Sequence, residues 1–154
     1  MSRRAEIRMS SDEVRVFLGR SRTIIVNSIG PDGVPHPMPM FYAVDDGGAI
    51  VMTTYTKSQK VQNLKRDPRV SLLVEDGAEY SELRGVVLYG TAELIAGTDE
   101  VMRLLAAVST HQGAPTDESP SALAGRRRMA AKRTGIRVRP ERVVSWDHRK
   151  LVGG

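Results

Sequence analysis

The sequence predicts a mainly β domain with accessory helices, an α+β arrangement closed as a barrel or packed as a sandwich. At least six segments have the β-branched and apolar composition of strands. They follow one another as hairpins, without the regular strand–helix–strand alternation of a parallel sheet. The 154 residues fit one domain, predicted to span residues 1–154, and no internal repeat is visible.

One helix and three strands are predicted in the first third of the chain, after a segment expected to be flexible over residues 1–9. Ser10 and Glu13 have the spacing of a capping box, so a helix is expected to start here and to end near Gly19. The predicted strands cover residues 23–28, 35–44 and 49–54, with glycine- and aspartate-rich turns between them.

The predicted strand at residues 35–44 carries prolines at alternate positions, Pro35, Pro37 and Pro39. Proline has no N–H group to donate to a β-ladder. The segment is therefore expected to lie at a sheet edge or to face a ligand.

The rest of the chain is predicted to hold a short helix, four further strands and a helical insertion at about residues 98–133. The short helix covers residues 58–66 and ends before Pro68, because proline disfavours helix at the preceding residue. In the insertion, Thr98 is expected to cap one helix and Pro120 to start a second. The further strands are predicted at residues 69–75, 83–95, 136–138 and 143–146, with Pro140 breaking the chain between the last two.

The stretch from Thr53 to Lys60 predicts a binding site for a phosphate group. It has the pattern of a strand end, a hydroxyl-rich turn and a helix start that carries Lys57 and Lys60. A helix N-terminus offers unpaired N–H groups and a partial positive charge, both of which favour an anion. Lysines at a helix N-terminus are mildly unfavourable, because their charge has the same sign as that end of the dipole, and a bound anion would explain them. The alternative is that Lys57 and Lys60 are solvated lysines without a ligand. The stretch thus favours a phosphorylated ligand.

The chain is basic, with a net charge of +5 and a sequence pI of about 9.9. Most of the surplus lies between Arg126 and Arg142, a segment called here the basic patch. The patch is either a solvated helix face or an attractor for an anionic cofactor or substrate. Nucleic acid is not expected as a partner, because one Trp, four Tyr and two Phe leave few stacking platforms and no nucleic-acid motif occurs.

Composition excludes several kinds of site. The chain has no cysteine, which rules out disulfides, thiol nucleophiles and thiolate metal sites. Its three histidines, His36, His111 and His148, lack the spacing of metal ligands, so no metal is expected. We find no apolar run that could span a membrane and no apolar signal segment, and a cytoplasmic location is predicted.

Four parts of the chain resemble the split β-barrel family of pyridoxamine 5′-phosphate oxidase and its flavin and deazaflavin relatives. The resemblance implies an FMN-binding-like split β-barrel that forms a homodimer, with the cofactor in the dimer cleft. The strings that carry it are Gly33-Val34-Pro35, Thr53-Thr54-Tyr55-Thr56-Lys57-Ser58-Gln59-Lys60 with Asp67-Pro68-Arg69-Val70, Arg84-Gly85-Val86 with Gly90-Thr91-Ala92-Glu93, and Val143-Val144-Ser145-Trp146.

The resemblance also implies where the ring of the cofactor would lie. It would rest on the predicted edge strand at Met38, Pro39 and Met40, beside Thr53 and Thr54. Methionine side chains adapt to flat and irregular surfaces, which suits such a role. The alternative for the two methionines is ordinary core or edge packing.

The implied phosphate contacts are Ser58, Lys60 and Lys57, in agreement with the site predicted from the helix N-terminus. Arg84 would contact the coenzyme or the substrate; the alternative is a plain salt bridge. No position is implied as a catalytic residue.

Two positions depart from the FMN oxidases of this family. Their strand matching residues 37–42 supplies an arginine and a lysine to the flavin, whereas this sequence has Pro37 and Tyr42. The segment Trp146-Asp147-His148-Arg149 also lacks the arginine–histidine signature that binds the oxidase substrate. The resemblance is therefore closer to the relatives that bind the deazaflavin coenzyme F420, and pyridoxamine phosphate oxidation is not expected.

The implied function is that of an F420-dependent oxidoreductase, which transfers a hydride to or from a small conjugated or quinone-like molecule. Its partners would be the anionic, phosphorylated cofactor, a small-molecule substrate and a second copy of the chain. One alternative is an oxidoreductase of the same fold that uses FMN. Another is a non-catalytic carrier or sensor of F420 or flavin.

Overall fold

The computed structural model describes residues 2–151, which form an antiparallel sheet of seven strands with helices packed around it. The strands are β1 (Thr23–Ile29), β2 (Pro35–Phe41), β3 (Ala43–Val44), β4 (Ile50–Tyr55), β5 (Arg69–Asp76), β6 (Arg84–Ile95) and β7 (Arg133–Asp147). The helices are α1 (Arg3–Glu6), α2 (Ser11–Arg20), α3 (Gln59–Arg66), α4 (Thr98–His111) and α5 (Pro120–Ala130), with short 3-10 turns at Tyr80–Glu82 and His148–Leu151.

The sheet closes on itself because its two end strands are consecutive in the chain. The strand order is β2-β1-β5-β6-β7-β4-β3, so β2 and β3 lie at opposite ends. β2 ends at Phe41 and β3 begins at Ala43, which leaves Tyr42 alone to connect them. Because neighbouring Cα atoms are about 3.8 Å apart, β2 and β3 must lie close together. The sheet therefore curls until its two end strands meet, which makes it a barrel.

Tyr42, the residue that closes the barrel, is completely buried. Its hydroxyl donates to the carbonyl oxygen of Leu18 at 2.6 Å, and its ring lies 4.7 Å from the His111 ring. Burial raises the pKa of the Tyr42 phenol far above its usual range. The position that the resemblance matches to a lysine of the FMN oxidases is therefore part of the interior of this protein.

Alternate residues of the central strands fill the barrel, as the period of two in a β-strand requires. The buried side of β1 presents Ile24, Val26 and Ser28. α2 contributes Phe17 and Leu18 to the same core, and its predicted capping box at Ser10 is present. Other core residues are Ile50, Met52, Leu64, Leu72, Val74, Val86, Leu88, Ile136 and Val138.

β2 lies at a sheet edge, as its prolines predicted. Pro35, Pro37 and Pro39 pair with Ile29, Asn27 and Ile25 of β1 in an unbroken register. Residues two apart point their backbone nitrogens to the same side of a strand, so these prolines remove three donors from the outer edge. The edge cannot recruit another strand through a regular ladder.

Pro140 does not end a strand, contrary to the prediction from sequence. β7 runs through it as one strand of 15 residues. The pairing with β6 shifts there: Arg142 lies opposite Tyr89 and Pro140 lies opposite Gly90, which leaves Glu141 outside the ladder. A β-bulge accommodates proline, because the ladder is already interrupted at that point.

The segment over residues 1–9 was predicted to be flexible, but its described part packs against β7. α1 lies in it, the Met9 N–H donates to Ser145 Oγ at 3.1 Å, and the Asp147 N–H donates to the Ile7 carbonyl at 2.7 Å. The Met9 side chain is buried. These two hydrogen bonds to the end of β7 give the segment a defined path. Met1 lies outside the described residues.

Three predicted helix boundaries also differ from the structure. α2 continues through Gly19 to Arg20. Thr98 is the first residue of α4 rather than its cap, and the cap position is Gly97 with φ of 108°, a conformation that favours glycine. α5 ends at Ala130, because β7 already begins at Arg133.

Candidate functional site

The predicted phosphate stretch forms the connection between β4 and α3. Thr53 and Thr54 end the buried part of β4, opposite Gly135 and Thr134 of β7. The chain then turns, and the Ser58 N–H donates to the Tyr55 carbonyl at 2.9 Å. Ser58 is the N-cap of α3, but its side chain does not cap the helix. The first-turn N–H groups of α3 therefore have no side-chain acceptor, which is the property expected of an anion site.

Lys60 is buried, with only 7% of its surface exposed. Its Nζ donates to Thr54 Oγ1 at 2.9 Å, and that hydroxyl donates to Ser58 Oγ at 3.4 Å. No ion pair joins Lys60 to any carboxylate within residues 2–151. A buried ammonium group with neutral partners alone is costly, and an anion would compensate for it.

Arg133, the first residue of β7, brings a second positive charge to Thr53, the neighbour of Thr54 in β4. Its Nη1 lies 3.4 Å from both the carbonyl and the hydroxyl oxygen of Thr53, and its guanidinium carbon lies 4.5 Å from the centre of the Tyr55 ring. The Arg133 Nε is buried without a hydrogen-bond partner in the described chain. Sequence reasoning counted Arg133 in the basic patch but did not assign it to the phosphate site.

The two cations raise each other's energy in the absence of an anion. Burial is the main cause that lowers the pKa of Lys60 below the ordinary value of 10.5, and the charge of Arg133 lowers it further. The negative charge of a bound phosphate would offset both the burial of Lys60 and the repulsion from Arg133. Lys60, Ser58 and the start of α3, with the charge of Arg133 nearby, therefore fit a phosphate group. They are called here the phosphate corner.

Binding of a phosphorylated ligand is expected to weaken as the pH rises towards 10.5, the ordinary pKa of a lysine, and the loss should begin below that value. The anion needs the Lys60 ammonium, and the lowered pKa places its deprotonation below the ordinary value of 10.5. A phosphate group keeps its charge over this range, so the loss reports on the protein and not on the phosphate. Calorimetric titrations across the range measure it, with Lys60→Met as the control that should remove the dependence. Affinity of the native protein that does not change with pH would contradict this assignment.

The remaining predicted phosphate contact, Lys57, is exposed at the turn between β4 and α3. The backbone next to it is fixed, since the Thr56 N–H donates to the Lys132 carbonyl at 3.0 Å. The Thr56 and Thr134 hydroxyls are 2.9 Å apart. Lys57 is therefore at the rim of the site, whereas Lys60 lies within it.

The three residues predicted to face the ring do not share one face of β2. Met38 and Met40 lie on the side of the buried β1 residues Val26 and Ile24, and Pro39 lies on the opposite side. Met40 packs against the core, while Met38 is partly exposed. The prediction treated adjacent residues as a single surface, which the alternation of a strand does not allow.

α3 connects the phosphate corner to β2 through β1. Asn63, completely buried, donates from Nδ2 to Ser28 Oγ at 3.0 Å, and Arg66 donates to the Ile29 carbonyl. His36 of β2 lies opposite Ser28, and its Nδ1 is buried without a hydrogen-bond partner in the described residues. The helix that holds Lys60 thus also positions the start of the strand that carries Met38.

Arg84 is not part of the phosphate corner of its own chain. Arg84 is the first residue of β6. Thr53 pairs with Gly135 of β7, which pairs with Ile95 of β6, so Thr53 lies level with a residue eleven positions from Arg84. Arg84 Nε donates to Asp76 Oδ1 at 2.9 Å and Nη2 donates to Oδ2 at 2.5 Å, while its guanidinium covers the Phe17 ring. Within one chain it is the salt bridge that the sequence left open as the alternative.

Half of the eight basic residues of the basic patch form ion pairs with acidic neighbours. Arg137 pairs with Asp45, Glu93 and Glu100, and Arg139 also pairs with Glu93. The two remaining ion pairs in the patch are Arg126–Glu118 and Arg127–Asp99. The described structure therefore offers no continuous surface of free arginines along residues 126–142.

Comparison with known proteins identifies the family. A family model described as pyridoxamine 5′-phosphate oxidase matches residues 10–147. The chain belongs to this family. Its curled seven-stranded sheet with flanking helices is the family's split β-barrel of the FMN-binding type, as the sequence predicted.

Several solved structures of the split β-barrel resemble this chain. The conserved hypothetical protein Rv2991 of Mycobacterium tuberculosis is 44% identical, with a TM-score of 0.87 over 100% of this chain and 94% of that one. A protein named F420 reductase is 26% identical, with a TM-score of 0.64 over 84% and 94%. An FAD-binding protein of Mesorhizobium loti is 20% identical, with a TM-score of 0.65 over 89% and 94%, and supports the fold alone.

No curated protein matches the chain. Among residues 2–151, none of the helices has the length and apolar character needed to cross a membrane.

Proposed function

We propose that this member of the family is an oxidoreductase that binds coenzyme F420 and transfers a hydride to or from a small conjugated or quinone-like molecule. The observation that carries the proposal is Lys60, a buried cation at the start of α3 without a carboxylate partner in the described chain. Arg133, at Thr53 of the preceding strand, is a second cation without such a partner. The 26% identity to a protein named F420 reductase supports the choice of cofactor.

The chain's residues have separate roles in this proposal. Lys60, Ser58 and the first-turn N–H groups of α3 hold the phosphate, and Arg133 supplies the second charge. Thr53 and Thr54 at the end of β4 and Met38 on β2 would lie nearer the ring. F420, when bound, would donate or accept the hydride, and the protein would contribute binding, orientation and the exclusion of water.

The charge around the site favours the more anionic coenzyme. F420 carries a phosphate and a γ-linked glutamate tail, so it has more negative charge than FMN. Lys57 and Lys132 are exposed at the rim, beside the turn that leads into α3. Exposed lysines there would attract carboxylates of the tail over a distance of about 10 Å in salt.

The oxidase reaction of the family is not proposed for this chain. Pro37 offers no charge, and the buried Tyr42 cannot be reached by a flavin phosphate or ring. The two alternatives remain an FMN-dependent oxidoreductase and a non-catalytic carrier or sensor. A cytoplasmic location stays a prediction from sequence.

The outer face of the barrel supports the predicted homodimer. A row of apolar residues crosses five strands there, with each residue opposite the next. The row consists of Pro39, Ile25, Leu73, Val87 and Val144, which are all partly or well exposed. An apolar stripe of this length on an isolated chain is a surface that a partner would cover, and Phe41 and Val34 extend the exposed apolar surface along the same region.

A fluorescence titration of the apo-protein with F420, with FMN in parallel, tests the proposal. We expect saturable binding of F420 and weaker binding of FMN, and sedimentation of the same sample should give a dimer. Tighter binding of FMN would overturn the choice of cofactor, and binding of neither would overturn the cofactor site. Oxidation of reduced F420 by a panel of quinones then separates an enzyme from a carrier, because a carrier binds without turnover.

A further inference from the structure

Asn63 lies in the middle of α3 and connects both ends of that helix to the sheet. Its Oδ1 accepts from Gln59 Nε2 at 2.8 Å and from Arg66 Nη2 at 3.4 Å, at the first and last residues of the helix. Its Nδ2 donates to Ser28 Oγ of β1 at 3.0 Å. Asn63 is completely buried, and Ser28 is 1% exposed. The amide therefore uses its oxygen and its nitrogen in hydrogen bonds inside the protein.

Apolar packing alone would leave the position of α3 loosely defined. A helix of eight residues is not stable in isolation, so its place depends on contacts with the rest of the chain. Val61 and Leu64 supply buried apolar contacts, which tolerate small shifts and rotations of a helix. A buried amide, by contrast, loses free energy as soon as it leaves its partner. The hydrogen bond from Asn63 to Ser28 therefore selects one position of α3 on β1.

Lys60 lies on the same face of α3 as Asn63, one turn earlier. Residues three apart in a helix are neighbours on its surface, and both of these side chains are buried. Lys60 reaches Thr54 at the end of β4, whereas Asn63 reaches Ser28 at the end of β1. In the sheet, β5, β6 and β7 lie between these two strands. α3 therefore spans from one strand end to the other, and its attachment to β1 sets where the Lys60 ammonium meets β4.

We propose that Asn63 is a positioning residue of the phosphate corner. Its hydrogen bond to Ser28 holds Lys60 and the first-turn N–H groups of α3 in the place where they bind a phosphate group. Asn63 acts through the helix and makes no contact with the ligand in this proposal. As a role in F420 binding it rests on the proposed function; the placement of Lys60 in the protein without cofactor does not.

The reactivity of Lys60 in the full-length protein without cofactor tests the placement directly. Native protein and Ser28→Ala are treated with acetic anhydride, and the modified lysines are located by mass spectrometry of their peptides. In the native protein we expect Lys60 to be protected relative to Lys65, which is exposed on the same helix. In Ser28→Ala, Lys60 should react about tenfold faster, because the loss of one buried hydrogen bond makes local opening of α3 easier. Equal protection of Lys60 in both proteins would overturn the proposal.

A comparison of two ligands tests whether the placement matters for the phosphate. One ligand is F420, and the other is the same deazaflavin riboside without the phosphate and the tail. Ser28→Ala should weaken F420 binding about tenfold or more and leave binding of the phosphate-free compound unchanged, because only the phosphate contacts α3. A merely structural role would weaken both compounds equally, and that result would overturn the proposal.

Two further variants separate position from stability. Tyr42→Phe removes one buried hydrogen bond between the barrel and α2, so it should lose stability as Ser28→Ala does while Lys60 stays protected. Asn63→Leu combined with Ser28→Ala removes both polar partners, a change that can be nearly neutral for stability. Lys60 should nevertheless react faster in this double variant. Native protection of Lys60 there would show that apolar packing alone places the helix, against the proposal.

The two measurements also distinguish this inference from the proposed function. Faster modification of Lys60 in Ser28→Ala, in a protein that binds no F420, would support the positioning role and remove the proposed cofactor. Binding of F420 with equal affinity by the native protein and Ser28→Ala would overturn the positioning role and leave the cofactor assignment intact.

Discussion

Replacing Lys60 by methionine is expected to weaken F420 binding by a factor of about 10 to 150, the effect of losing one charge-assisted hydrogen bond. Lys60 is buried, and its Nζ has no carboxylate partner in the described chain. A bound phosphate would be its anionic partner. Fluorescence titration measures the loss. The matched control is Lys65→Met, because Lys65 is exposed on the same helix, and its affinity should stay unchanged.

The same substitution should not destabilise the apo-protein. Burial and the Arg133 charge lower the pKa of Lys60, which means that the folded state disfavours its charged form. Methionine has a similar length and no charge, so the free energy of unfolding should stay the same or rise by about 1 kcal/mol. Thr54 keeps a hydroxyl partner in Ser58 after the change. Denaturant unfolding of the two apo-proteins measures this difference.

Arg133→Gln should also weaken F420 binding, and the double variant tests whether both cations bind one group. If they hold the same phosphate, the loss of affinity in the double variant should differ from the sum of the two single losses, since side chains that contact the same group of a ligand are not independent. Affinity for F420 that is unchanged in both single variants would contradict the phosphate corner. A stability loss in Lys60→Met with unchanged affinity would make the lysine a purely structural residue.

Replacing Tyr42 by lysine, the residue of the FMN oxidases at this place, is expected to lower the melting temperature by about 10 °C or more. A charged amine would enter a fully buried position next to the Leu18 carbonyl, with no carboxylate partner in the described chain. The penalty for such a charge is several kcal/mol, and each kcal/mol shifts the melting temperature of a domain of this size by about 2–4 °C. The variant should not gain affinity for FMN, because the position does not face a ligand.

Tyr42→Phe is the control for this variant. It removes the hydroxyl that donates to Leu18 and keeps the ring against His111, so it should cost about 1 kcal/mol. Thermal unfolding and FMN titration of the three proteins measure both effects. A Tyr42→Lys protein with native stability and new FMN affinity would show that the position is open to the cofactor, and would favour the FMN alternative.

Local patterns in the sequence predicted much of the fold. The hairpins, the capping box at Ser10, the edge position of the proline-bearing strand and the helix after Ser58 all depend on residues close together in the chain. The prediction that Pro140 ends a strand was wrong, because it also used only residues close together in the chain. A bulge is defined by the pairing with the partner strand, which such local patterns do not show.

The candidate site was predicted in part. Thr53, Thr54, Ser58 and Lys60 are close in sequence, and a strand–turn–helix connection brings them together in any fold that contains it. The resemblance to the family added Pro39 and Arg84 to this group. The alternation of β2 turns Pro39 to the opposite face from Met38, and the length of β6 separates Arg84 from Thr53.

The sequence by itself determined the mainly β class, the strand–turn–helix connection from Thr53 to Lys60 and the absence of cysteine chemistry, because these depend on composition and on neighbours along the chain. Only the tertiary structure placed Arg133 beside Thr53, 80 positions away, and aligned Trp146 against Gly85. It also paired half of the basic residues of the basic patch with acids and enclosed Tyr42. Such features depend on strand register and barrel closure, which bring together residues that no local pattern connects.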